Sequence, residues 1–144
     1  MLFRSGSPSI STSISDAQDV YNYSKRILKL DPQVAHGYSI GGPTSAVLAL
    51  TNPLKVLVVD RSFCNFINVY FFLTQIAHEI SPVLAHLARI VLRTDSNVNI
   101  SDVYLRIINC RKILIWSSVD EVVSNGSSLK LGVLNKLLNE AELR

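Results

Sequence analysis

The sequence predicts an α/β fold: a mostly parallel sheet with helices on both faces. Three observations predict it. Lys55-Val56-Leu57-Val58-Val59-Asp60 is a β-branched apolar run bounded by polar residues, the pattern of a strand buried on both faces. A glycine-bracketed turn and a small-residue helix come just before it, preceded in turn by a short extended run, Pro32-Gln33-Val34-Ala35-His36. Strand, turn, helix and strand in that order form a βαβ unit, and a crossover helix makes its two strands parallel.

Each element follows from local pattern. Serine fills every odd position from Ser5 to Ser15, and Gly6 and Pro8 interrupt any regular structure, so residues 1–15 are expected as loop. Ser15-Asp16-Ala17-Gln18 offers a serine cap with glutamine three residues on, a capping-box pattern. Val20, Tyr23, Ile27 and Leu30 recur at helical spacing, which predicts a helix to about Lys29 with that stripe covering one face of the sheet. Thr44 to Leu50 reads as a helix of small residues with Pro43 in its first turn, and Asn52-Pro53 ends it. After Asp60, Arg61 to Asn65 is loop at the carboxyl end of a parallel strand, the end where open α/β sheets bind ligands. Asn65 to Ala77 and Ile80 to Arg93 read as two helices parted near Ser81-Pro82, followed by a polar loop from Thr94 to Asn99. Ile100 to Ile108 predicts a short helix and Lys112 to Ser117 the last strand. Asn125 to Glu142 predicts an amphipathic helix with Leu129, Val133, Leu134, Leu137 and Leu138 as its stripe and Ser127 or Asn125 as its cap.

The turn carries the chemistry. Gly37-x-Ser39-x-Gly41 is the pattern of a nucleophile elbow, a tight strand-to-helix turn with a serine at its tip. Small residues are needed two positions either side, because a Cβ there meets neighbouring backbone. Ser39 is the nucleophile candidate, and the backbone N–H of Ile40 the oxyanion donor. A serine hydroxyl is a weak nucleophile and needs a base to take its proton. The bland alternative is a serine in an ordinary glycine-rich turn. A second alternative is a dinucleotide-binding βαβ unit: Gly37-x-Ser39-x-x-Gly42 matches the fingerprint with its middle glycine replaced, and Asp60 ends the next strand where a ribose-binding acid belongs. The replaced glycine counts against it, as does the helix ahead of the first strand.

His36-Gly37-Tyr38-Ser39-Ile40-Gly41-Gly42 followed by Val58-Val59-Asp60-Arg61-Ser62-Phe63 resembles the α/β-hydrolase superfamily, and within it the BEM46-like or α/β-hydrolase domain-containing serine hydrolases, some of which are protein depalmitoylases. Ser5-Gly6-Ser7-Pro8-Ser9 and Asp16-Ala17-Gln18 are similar to the family's loop and helix start ahead of the elbow. Ile113 to Val123 is similar to the strand and loop that present its acid. The resemblance implies one domain over 1–144, a lid-like helical insertion at 61–110, and an esterase or thioesterase acting through an acyl-enzyme on Ser39. Asp120 is then the acid, with Glu121 as fallback, and no cofactor or metal is required. The departure is the base. No histidine follows Asp120, where the family's chain order puts it. His36 lies in the strand before the elbow and reads as a packed or hydrogen-bonded histidine, and His78 and His86 fall on the lid helices. The expectation is therefore a central piece of a hydrolase, lacking the fold's first strands and its C-terminal histidine, weakly active or inactive as it stands. The alternative is a non-catalytic remnant that acts by association.

Composition sets the outer bounds. The chain has 144 residues, enough for one domain with a core, and its 48% hydrophobic and 17% charged content excludes disorder. A net charge of +3, with no basic cluster larger than Arg111-Lys112, gives no footing for nucleic acid. Cys64 and Cys110 lie far apart and read as free thiols of a reducing compartment, so a cytoplasmic location is expected. Met1-Leu2-Phe3-Arg4 runs straight into serines, unlike a secretory signal. The apolar stretch from Ile67 to Leu92 is broken by Gln75, His78, Glu79, Pro82, His86 and Arg89, which excludes a membrane span. The expected partners are a small-molecule or acyl-protein ester, a membrane surface in peripheral contact, and a second copy through exposed sheet edges.

Overall fold

Among the described residues three short strands form the sheet: β1 (Val34–Tyr38), β2 (Val56–Asp60) and β3 (Arg111–Ile115). The computed structural model describes residues 9–64, 99–119 and 127–142. The strands form one parallel sheet in the order β1-β2-β3, with His36 beside Val58 and Val58 beside Ile113. The helices are α1 (Ile10–Arg26), α2 (Gly41–Thr51), α3 (Ile100–Arg106) and α4 (Leu129–Glu142). The chain is thus an α/β protein with a parallel sheet. The two lid helices expected at Asn65–Ala77 and Ile80–Arg93 lie outside the described residues. Within 61–110, α3 belongs to the core, with Ile100, Tyr104 and the following Ile107 all buried.

The sheet's two faces differ. On β1 the buried positions are Ala35 and Gly37, and on β2 they are Leu57 and Val59. Period-two alternation puts these four on one face. Ala35, Leu57 and Val59 join Tyr21 of α1, Ala46 and Ala49 of α2, Ile100 and Tyr104 of α3, and Leu129 of α4 in a single core. All four described helices therefore contribute to the same side. Topology explains why: both crossovers step the same way across β1-β2-β3, and crossovers of one hand then place their helices on one face. The expectation of helices on both faces is met on one face among the described residues. The other face presents Val34, His36, Tyr38, Ile113 and Ile115, all exposed.

Several boundaries move. α1 starts at Ile10 and not at Ser15, because Ser9 caps it: the Ser9 hydroxyl accepts from the Thr12 N–H, and the Thr12 hydroxyl accepts from the Ser9 N–H, each at 3.0 Å. Ile10 is buried, which fixes this start. The stripe expected to cover the sheet faces outward instead, with Val20, Tyr23 and Ile27 exposed by 65%, 55% and 63%. α1 packs on α2 through Tyr21 and through Gln18, which exchanges amide hydrogen bonds with Asn52. α4 begins at Leu129 with the Ser128 hydroxyl accepting from the Leu131 N–H at 3.4 Å, so the cap position falls on Ser128 and not on Ser127, and Asn125 lies outside the described residues. Leu129 is buried, whereas Leu134, Leu137 and Leu138 are exposed, so only the first turns of α4 use the predicted stripe. Among the described residues no helix is long and apolar enough to cross a membrane.

Candidate functional site

The turn between β1 and α2 is built by close approach. A Cβ on Gly37 would collide with the Ser45 hydroxyl and the Gly41 carbonyl, reaching 2.6 Å from the Gly41 carbonyl carbon. Only glycine lets the end of β1 pass this near to the first turn of α2. Gly41 itself has room, since an added Cβ meets nothing within 4 Å. The second position without room is Gly42, where a Cβ would meet the Ser62 side chain and come within 3.2 Å of Val59. The steric demand expected at Gly37 and Gly41 thus falls on Gly37 and Gly42. The sequence signal for Gly42 was the doubled glycine.

Ser39 occupies the tip. Its φ is 49°, left-handed backbone that a non-glycine residue adopts at a cost of about 1–2 kcal/mol. The strain is held from both sides: the Ser39 N–H donates to the Asp60 carbonyl at 2.8 Å, extending the β1–β2 ladder, and the Ser39 carbonyl accepts from the Gly42 N–H at 3.0 Å, opening α2. The next residue, Ile40, is the helix cap, exposed and without a side-chain cap bond. Its N–H donates to no protein atom among the described residues. The Ser39 hydroxyl likewise has no hydrogen-bond partner among them. Asp120 and Glu121, the acid candidates, lie outside the described residues, as do His78 and His86.

β2 leaves the sheet in the same manner. Arg61 has φ 47°, and its N–H donates to the Ile115 carbonyl at 2.8 Å. The carboxyl ends of the three strands are therefore in register, with Ser39, Arg61 and Trp116 side by side. Beyond them the loops interlock. Phe63 and Ser128 form an antiparallel bridge, the Leu129 N–H donates to the Ser62 carbonyl at 2.9 Å, and the Ile100 N–H donates to the Cys64 carbonyl at 2.8 Å. Lys130 sits over the Trp116 ring at 3.2 Å.

A polar cluster lies on the open face beside this rim. The Asp60 carboxylate is 15% exposed, accepts from Arg61 Nε at 3.2 Å, and stands 3.9 Å from His36 Nε2, an ion-pair distance too long for a hydrogen bond. Arg61 also lies over the Tyr38 ring at 5.2 Å. His36 is thus half-exposed on the sheet surface and not packed in a core. The signal was legible: His36 and Tyr38 are two apart in a strand, so they share a face. A cavity of about 440 Å³ lies at the other end of the sheet, between the C-terminal end of α2 with Asn52 and the C-terminal end of α3 with Ile107, remote from Ser39. Comparison of the chain with family models, curated proteins and solved structures finds no match.

Proposed function

We propose that this chain is a serine hydrolase of the esterase or thioesterase type, with Ser39 as nucleophile and the Ile40 N–H as one oxyanion donor. One observation carries the reading. A non-glycine residue is held at positive φ between a parallel strand and the first turn of a helix, over a glycine that a Cβ would block. Strain of this kind marks functional turns, because nothing in packing alone requires a serine there. The N–H of Ile40, which donates to no protein atom among the described residues, opens an 11-residue helix and suits a developing oxyanion. Asp120 is assigned the orienting acid. The substrate is a small-molecule or acyl-protein ester, taken up in the cytoplasm without a cofactor.

Among the described residues no base is bonded to the Ser39 hydroxyl, so slow turnover is expected. The test is labelling of the 144-residue chain with a fluorophosphonate probe. Slow labelling that Ser39→Ala abolishes is the expected result. Labelling that persists in Ser39→Ala, or none at all in a chain with a folded circular-dichroism spectrum, removes the hydrolase reading. If labelling occurs, His36→Ala, His78→Ala and His86→Ala identify the base by which of them stops it.

A further inference from the structure

A cleft opens where two helices turn into neighbouring strands. Asn52 to Lys55 joins α2 to β2, and Ile107 to Cys110 joins α3 to β3. The Arg111 N–H donates to the Lys55 carbonyl at 2.8 Å, which ties the two connections together at the start of the strands. α2 and α3 pack side by side above them. Between the helix ends lies the cavity of about 440 Å³, a volume within the range of small-molecule sites, roughly 300–1,000 Å³. The described stretches are interrupted after Cys64 and Val119 and resume at Asn99 and Ser127, and these residues stand at the opposite, carboxyl end of the strands.

The lining has two chemistries. Ala49, Leu54 and Ile107 are buried and apolar, and Ile108 extends that surface outward, 84% exposed. The polar lining is Thr51, Asn52, Lys55, Arg106 and Asn109, which holds two cations and no carboxylate. Thr51 and Asn52 are committed to the fold. Thr51 Oγ1 donates to the Val47 carbonyl and Asn52 Nδ2 to the Leu48 carbonyl, each at 2.9 Å, so they close the carbonyl end of α2. Lys112 does the same for α3, its ammonium donating to the Tyr104 carbonyl at 2.9 Å. A cation beside a helix C-terminus ordinarily answers the negative end of the dipole. Here other side chains already meet that need, and Lys55 and Arg106 are surplus to it. Both are exposed, and neither enters an ion pair among the described residues.

We propose that this cleft binds a small organic anion with an aliphatic body. Its carboxylate or phosphate head is held by Lys55 and Arg106, and its body lies against Leu54, Ile107 and Ile108. The guanidinium supplies a planar two-pronged donor and the ammonium a point charge, the pair of donors that either head accepts. Asn109, on the same connection as Ile108, adds an amide N–H donor to the lining. The apolar surface selects against a bare inorganic ion, because only a ligand with a hydrocarbon body removes that surface from water. The absence of any carboxylate from the lining selects against a cation.

The site is remote from Ser39, so its test is independent of the hydrolase reading. Hexanoate and hexyl phosphate are titrated into the full chain while the backbone amide resonances are followed by NMR. Saturable shifts are expected at Leu54, Lys55 and Ile107 to Asn109, unchanged in Ser39→Ala. Either anion binding there supports the site, and the tighter of the two names its head group. Lys55→Met and Arg106→Met, both altered at exposed positions, should each weaken binding by on the order of tenfold, and Lys55→Arg should retain it. Acetate should bind more weakly than hexanoate, and hexylammonium should not bind. Hexylammonium or hexanol binding as tightly as the anions, acetate binding as tightly as hexanoate, an affinity unmoved by both methionine variants, or no shifts among the lining residues overturns the proposal.

Discussion

A glycine is informative only where a side chain cannot fit, and the three glycines of the elbow differ in that respect. Gly37→Ala drives a Cβ into Gly41 and Ser45, and overpacking of this kind costs about 1–3 kcal/mol or more. Gly41→Ala meets open space and replaces the poorest ordinary helix former with the best, so it should be neutral or stabilising by up to about 1 kcal/mol. Thermal denaturation of the two variants checks this, and equal destabilisation would mean that Gly41 is held by something other than packing. Gly37 was legible in the sequence because its constraint is local. Gly42 and Ser62 touch across the fold, and no spacing rule joins them. Tyr104 gives a pH test. Its burial, and secondarily Cys110 beside it, raise its pKa above the ordinary 10.0. A raised folded-state value means that the unfolded chain ionises first, so the contribution is intact below about pH 10 and is lost as pH rises through the folded value. Denaturation measured on the alkaline side should show this loss, and Tyr104→Phe should flatten the profile.

At the scale of elements, composition alone did not fix where α1 begins. Ser9, Ser11, Ser13 and Ser15 are all competent caps, and a pattern with glutamine at the third helical position favoured Ser15. The choice was made instead by the burial of Ile10 and by Thr12, whose hydroxyl serves in place of a glutamine. Ser9→Ala should therefore cost about 1 kcal/mol, whereas Ser15→Ala, now exposed mid-helix, should gain about 0.5 kcal/mol. Helicity and melting temperature of the two variants decide between the starts, and a greater loss from Ser15→Ala would restore the later one. β2 was legible as an apolar β-branched run between polar ends, whereas β1, expected at Pro32 to His36, runs Val34–Tyr38, and β3, expected at Lys112 to Ser117, runs Arg111–Ile115. The α1 stripe was legible as a stripe, but periodicity gives a helix an apolar face without saying what lies against it.

For the whole molecule, the consequence is a core with one side. Parallel sheets usually carry apolar residues on both faces because both are covered, and this sequence has them: Leu57 and Val59 on one face, Ile113 and Ile115 on the other. The pattern predicts two buried faces, and one is buried among the described residues. The difference is measurable because truncation costs follow burial. Leu57 is fully buried among α2, α3 and α4 residues, so Leu57→Ala should cost about 3 kcal/mol, a large fraction of the stability of a small domain. Ile113 is 43% exposed one strand away and removes less apolar area from water, so Ile113→Ala should cost under about 1 kcal/mol. Urea denaturation of both variants at low protein concentration makes the comparison on the isolated chain. A cost for Ile113→Ala near that of Leu57→Ala would mean that the second face is covered in solution.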